Sequence, residues 1–271
     1  MSRFDDEMDR IRARIREVVE EREQEEAAPL LHQLIATYPG TLGQRVALAR
    51  GADMAMRGRA EAGGALVEMG GAEFVRALFK AGASSPVLQS AIETALLIRY
   101  RELPAFIGAN GGRAEFASWC RQAEFTIPET LPDTLTIYRG TMGCSPAAAA
   151  TGLHWTDTFE KACFFACRFA DEHLTGVIVL KAEVRRDELV AFLEAAGEHE
   201  LIPAAVPTSY EVVTDHALIG AAGHRAMIRY RDLIAQGHPF IPTLGMAEQA
   251  AMATRTRMAA AGVAQGAAIV A

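Results

Sequence analysis

The sequence predicts an α+β fold preceded by an all-helical region, and three observations carry that reading. From Leu42 to about Phe125 the apolar residues recur at helical spacing, and Ala, Leu, Gly and Met dominate. At Thr126-Ile127-Pro128-Glu129-Thr130-Leu131-Pro132-Asp133 the character changes, with two prolines in a polar segment of the kind that joins domains. Beyond it, short β-like runs surround one helix, a pattern of α+β rather than of alternating α/β. The expected organisation is a helical region 1–126, an α+β core 127–215 and a helical C-terminal extension 216–271.

The elements follow in order. Phe4 to Glu26 is highly charged, with Met8, Ile11, Ile15, Val18 and Val19 three and four apart, which makes an amphipathic helix with one narrow apolar seam. The seam offers a surface for a partner or for self-association, while the acidic run Glu20–Glu26 reads as a solvated face. Pro29 opens a helix over Leu30–Ala36 that ends at Tyr38-Pro39-Gly40. Further helices carry Val46 and Leu48, then Phe74, Val75, Leu78 and Phe79, then Val87, Ile92 and Leu96 behind the start signal Ser84-Ser85-Pro86. Gly63-Gly64 and Gly70-Gly71 read as turns, and the loop Gly108–Gly112 precedes a helix over Ala114–Ala123 that carries Trp119. The β-like runs are Leu135–Tyr138, Leu153–Trp155, Val177–Val184, Leu189–Phe192 and Glu200–Ile202, with a helix over Phe159–His173 between them. Val177-Ile178-Val179-Leu180 is apolar without a break, as a strand buried on both faces should be. Helical spacing returns at Ala217–Ala235 and from Met246.

Composition narrows the function classes. Half of the 271 residues are hydrophobic and 23% are charged, the balance of a globular protein. A net charge of −7 argues against a general nucleic-acid binder, which needs a basic face. No secretory signal or membrane-spanning run is visible, and four cysteines without disulfide or metal spacing suit a reducing compartment. The expected location is cytoplasmic, unless a dedicated system exports the protein into a target cell. Cys163 and Cys167 lie one helical turn apart but read as buried thiols, so no metal site is expected.

The chemistry-bearing residues cluster between Leu135 and Ile202. Arg139 stands at a strand end beside Gly140, where a guanidinium can make paired contacts with phosphate or ribose oxygens and a glycine lets a ligand approach the backbone. Glu198 and Glu200 are two apart, so on a strand both carboxylates project from one face. Such a pair suits a reaction passing through a positively charged sugar, with one carboxylate stabilising the charge and the other managing a proton or a nucleophile. Taken alone, each motif also fits a surface ion pair or an exposed edge strand.

In this order the motifs resemble the ADP-ribosyltransferases of the arginine–serine–glutamate class, a group that includes many bacterial mono-ADP-ribosylating toxins and their relatives. In that family a strand ends in arginine, a later strand carries a Ser-Thr-Ser-like tripeptide before a helix, and a third carries Glu-x-Glu. Tyr138-Arg139-Gly140 resembles the first motif and Glu198-His199-Glu200 the third. Aligning the helix on Ala162-Cys163-Phe164-Phe165-Ala166 places His154, Trp155 and Thr156 on the tripeptide. The resemblance spans Leu135 to Pro207, about a quarter of the chain.

The resemblance implies a split β-sandwich whose cleft binds NAD as substrate, with Arg139 on its phosphate or ribose oxygens. It implies that Thr156 holds the cleft and orients the carboxylate. Glu200 would bond the ribose 2′-hydroxyl and stabilise the charge left as nicotinamide departs, and Glu198 would prepare an acceptor, protein or nucleic acid. Trp155 either packs beneath the cleft or stacks on nicotinamide or adenine. The sequence departs from the family at His154, which stands where the first serine is expected and is larger and titratable. That departure leaves two alternatives to a transferase: a degenerate fold used for binding or regulation, and an NAD glycohydrolase.

Overall fold

The computed structural model describes residues 29–100, 102–168, 174–194 and 199–235. The amphipathic helix expected over Phe4–Glu26, the carboxylate of Glu198 and the helical segment from Met246 lie outside the described residues. The chain is α+β and divides into two compact units, Met1–Glu124 and Phe125–Ala271. Among the described residues no helix is long and apolar enough to cross a membrane.

The first unit is helical: α1 (Pro29–Thr37), α2 (Leu42–Met56), α3 (Ala60–Gly70), α4 (Glu73–Lys80), α5 (Ser85–Ile98), α6 (Leu103–Ala109) and α7 (Gly112–Gln122). Thr41 and Gln44 form a reciprocal cap at the start of α2, each satisfying a backbone N–H that a helix end leaves open. Trp119 is fully buried, with the rings of Phe79, Phe106 and Phe116 at 6.1, 5.8 and 5.9 Å, and its Nε1 donates to Glu115 at 3.2 Å.

The glycine pairs correct the sequence reading. Gly63 and Gly64 are not a turn but the buried middle of α3. A Cβ on Gly63 would overlap the carbonyl oxygen of Val87, and one on Gly64 would meet the hydroxyls of Thr94 and Ser90. The missing side chains let α3 and α5 approach backbone to backbone, and that contact outweighs glycine's poor helix propensity, about 1 kcal/mol each. Gly71, at φ 103°, makes the break that follows α3.

The second unit is built on a three-stranded antiparallel sheet in the order β1 (Thr134–Met142), β2 (Val177–Arg185), β5 (Glu211–Val213). A shorter antiparallel pair joins β3 (Leu189–Leu193) to β4 (Glu200–Pro203). The helices are α8 (Pro146–Ala150), α9 (Phe159–Cys167) and α10 (His216–Ala235). Strand alternation sends β1 and β2 to two cores. Val177 and Val179 pack with α9 and α10, while Leu135, Ile137, Ile178 and Leu180 pack with Trp155 and Leu201. The unbroken apolar run of β2 is therefore buried on both faces, as its sequence predicts.

Two expectations change here. The β-like run Leu153–Trp155 forms no strand; it makes single bridges, Trp155 to Leu201 and Thr156 to Tyr138. Consecutive residues of an extended chain turn their backbone groups to opposite sides, so this dipeptide bonds β4 with one residue and β1 with the next. It thereby links the two sheets, with N···O distances of 2.7–3.1 Å. The second change concerns α10, expected in a separate extension from 216. It packs on α9 and buries Ile219, Ala222, Ala226 and Met227 in the same core, so it belongs to the second unit.

Candidate functional site

The site begins with β1. Tyr138 and Gly140 face α9, and alternation turns Arg139 to the other side, toward α8 and the 154 loop. There Arg139 Nε donates to the carbonyl of Ala149 at 2.8 Å, and Nη1 donates to the carbonyl of His154 at 2.6 Å. Its guanidinium lies flat against Gly152, where any Cβ would overlap it. Arg139 is thus committed to two backbone carbonyls, which fixes the loop that carries His154.

His154 in turn reaches the head of β4. Its Nδ1 stands 3.0 Å from Glu200 Oε2, and the two side chains are 27% and 16% exposed, shielded but still open to a ligand. An ionised carboxylate only accepts, so His154 Nδ1 carries the proton and donates it to Glu200. Burial pushes the Glu200 carboxyl up, but His154, Lys161 and Arg139 together outweigh it and hold the carboxyl below its ordinary range. Arg139 itself is pulled down from its usual value, first by burial, with Cys144 and Glu200 opposing.

A second histidine–carboxylate pair crosses the first. His199 Nδ1 donates to Asp157 Oδ2 at 3.0 Å, and Asp157 Oδ1 accepts from Thr158 Oγ1 at 2.9 Å. The loop supplies His154 and Asp157, and β4 with the residue before it supplies Glu200 and His199. The two contacts therefore clasp the same pair of segments from opposite partners. His199 also lines a pocket of about 460 Å³ with Thr158, Glu160, Lys161, Arg225, Arg229 and Tyr230. Sequence reasoning missed Asp157, His199, Lys161 and the two arginines. The signal available for them was the Asp157-Thr158 pair before a helix and the i, i+4 spacing of Arg225 and Arg229.

The remaining expected site residues fall as follows. Gly140 does not open a path to a ligand: the space over its Cα holds the carbonyl oxygen of Ala162, so what the glycine permits is α9 packing onto β1. Trp155 is 1% exposed in the core, with Nε1 donating to Gly152 O at 3.2 Å, which leaves no ring face for nicotinamide or adenine. Thr156 is buried, and its hydroxyl accepts from Thr158 N at 3.2 Å; the carboxylate it was expected to orient is held by His154 instead. Glu198 lies outside the described residues. Cys163 and Cys167 are buried in the α9–α10 core. Compared with known proteins, the chain matches no family model, no curated protein and no solved structure.

Proposed function

We propose that the second unit is an NAD-dependent mono-ADP-ribosyltransferase, moving ADP-ribose to a macromolecular acceptor with release of nicotinamide. One observation carries the reading. Arg139, His154 and Glu200, far apart in sequence, meet through the 2.6 Å bond from Arg139 to His154 O and the 3.0 Å bond between His154 and Glu200. The two sheets joined along Trp155-Thr156 are the pieces from which a split β-sandwich would be made.

The residues divide the work by their chemistry. An ionised, partly shielded carboxylate stabilises positive charge on a ribose as its bond to nicotinamide breaks, and it does so best when already oriented. Glu200 has that form, and His154 Nδ1–H fixes its direction. Arg139 acts through the loop as a positioning residue. The groups present suit NAD by charge: the unit holds a carboxylate for the sugar cation and a pocket lined with lysine and arginine for its phosphates.

The test is incubation with NAD and cell lysate, reading nicotinamide release and transfer of adenine-labelled ADP-ribose. The wild-type protein should release nicotinamide, and Glu200→Gln should reduce release by at least about a hundredfold, as loss of a preorganised stabilising group does. Undiminished release by a folded Glu200→Gln protein removes Glu200 from the mechanism. One observation favours a second reading, a binding module without turnover: His154 occupies the place of a hydroxyl, and the Thr156 hydroxyl turns to Thr158. NAD binding without nicotinamide release would establish it. Release without labelled acceptor would instead mark a glycohydrolase.

A further inference from the structure

We propose that the pocket between α9 and α10 binds the pyrophosphate of a dinucleotide, and that Lys161, Arg225 and Arg229, rather than Arg139, supply the charge for it. The inference rests on the NAD reading of the same unit and corrects where its phosphates sit. The first argument is the state of Arg139. Both Nε and Nη1 already donate to backbone carbonyls, at 2.8 and 2.6 Å. Giving Nε and Nη1 to a phosphate would break both bonds and release the loop that places His154.

The second argument is the pocket. Its volume, about 460 Å³, lies within the range of ligand cavities, roughly 300–1,000 Å³. Three cations and one carboxylate, Glu160, line it. They leave two net positive charges, matching the two negative charges of a pyrophosphate diester. Arg225 already meets Glu160 at 3.4 Å across the mouth, an exposed pair that a phosphate can replace at little loss. Arg225 and Arg229 lie four apart on α10, so both project from one face. Gly223 and its small neighbours bring α10 close to α9, where a Cβ at 223 would stand only 3.1 Å from Cys163 O. That approach sets the arginines over the start of α9, where Thr158 is the N-cap and Glu160 and Lys161 lie in the first turn. The same loop ties the pocket to the carboxylate: His199, in the pocket lining, bonds Asp157, and Glu200 bonds His154 three residues earlier.

The experiment is calorimetric titration of the full-length protein with inorganic pyrophosphate and, separately, with NAD. The wild type should bind both, and the Arg225→Ala/Arg229→Ala double variant should bind both at least about tenfold more weakly, the effect of losing charge-assisted contacts. An Arg225→Lys/Arg229→Lys variant should keep most of the affinity, and Arg57→Ala, which removes an exposed charge just past the end of α2, should change nothing. Far-UV circular dichroism confirms that each variant folds. Unchanged NAD affinity in the double alanine variant overturns the inference while the NAD reading stands. Pyrophosphate binding without NAD binding overturns both. Absence of pyrophosphate binding, or a short oligonucleotide bound more tightly than NAD with the same variant dependence, also overturns it.

Discussion

Glu200 sits between opposed influences: burial favours its neutral form, while His154, Lys161 and Arg139 favour the carboxylate and prevail. Its folded pKa therefore lies below its ordinary value of 4.5. A carboxyl depressed on folding contributes stability that is complete above the unfolded pKa and is lost as pH falls through the folded one. Thermal midpoints measured between neutral pH and strongly acid solution should thus fall more steeply for the wild type than for Glu200→Gln, and parallel acid limbs would refute the pairing. Glu200 and Arg139 were legible in the sequence because a carboxylate at the head of an apolar run and an arginine at a strand end are local patterns. Their connection was not. It passes through His154, whose ring meets a residue 46 positions away, and nothing in a serine-like alignment position announces an imidazole donor. Arg225 and Arg229 were invisible for a related reason, since charges on an amphipathic helix read as solvated until a partner helix is placed beside them.

Elements are positioned here by what glycine leaves out. At Gly140 a Cβ would overlap the carbonyl oxygen of Ala162 and stand 2.9 Å from Ala166 N, both backbone atoms of α9 that cannot turn aside. Gly140→Ala must push α9 off β1 and should destabilise the second unit by about 1–3 kcal/mol or more, the usual range for overpacking. Gly108→Ala meets nothing within 4 Å and serves as the control. Urea unfolding followed by circular dichroism measures both, and equal midpoints for Gly140→Ala and the wild type would show that the close contact is not structural. The helices and the main strands were legible because their periods are long. The glycines misled because their strongest local meaning is a turn, and only a second backbone, such as Val87 against Gly63, reverses it. The link at Trp155-Thr156 reads as a strand because it is extended; it forms bridges alone because each neighbouring sheet takes one residue from it.

At the scale of the whole molecule, a composition shift marks where the helical half gives way to the β-like runs, whereas nothing local marks which core α10 completes. The prolines of the 126–133 segment put the boundary at 126, against Glu124 in the structure, because a linker is a local composition shift. The limit at 216 misread α10, since the core that α10 completes belongs to α9, more than forty residues upstream. Each unit also contains one of the chain's two tryptophans, Trp119 in the first and Trp155 in the second, and both are fully buried. The first unit has its own apolar centre, in which Trp119 is surrounded by Phe79, Phe106 and Phe116, with Leu66, Leu88 and Ile92 buried nearby in the sequence of helices. A region with its own core can unfold as one cooperative step. Residues 29–124 expressed alone should therefore be helical by circular dichroism and should unfold in urea with a single transition. Trp119 fluorescence and the helical signal should lose their native values at the same midpoint. Separated midpoints, or a gradual loss with no transition, would show that the helical unit depends on the rest of the chain for its fold.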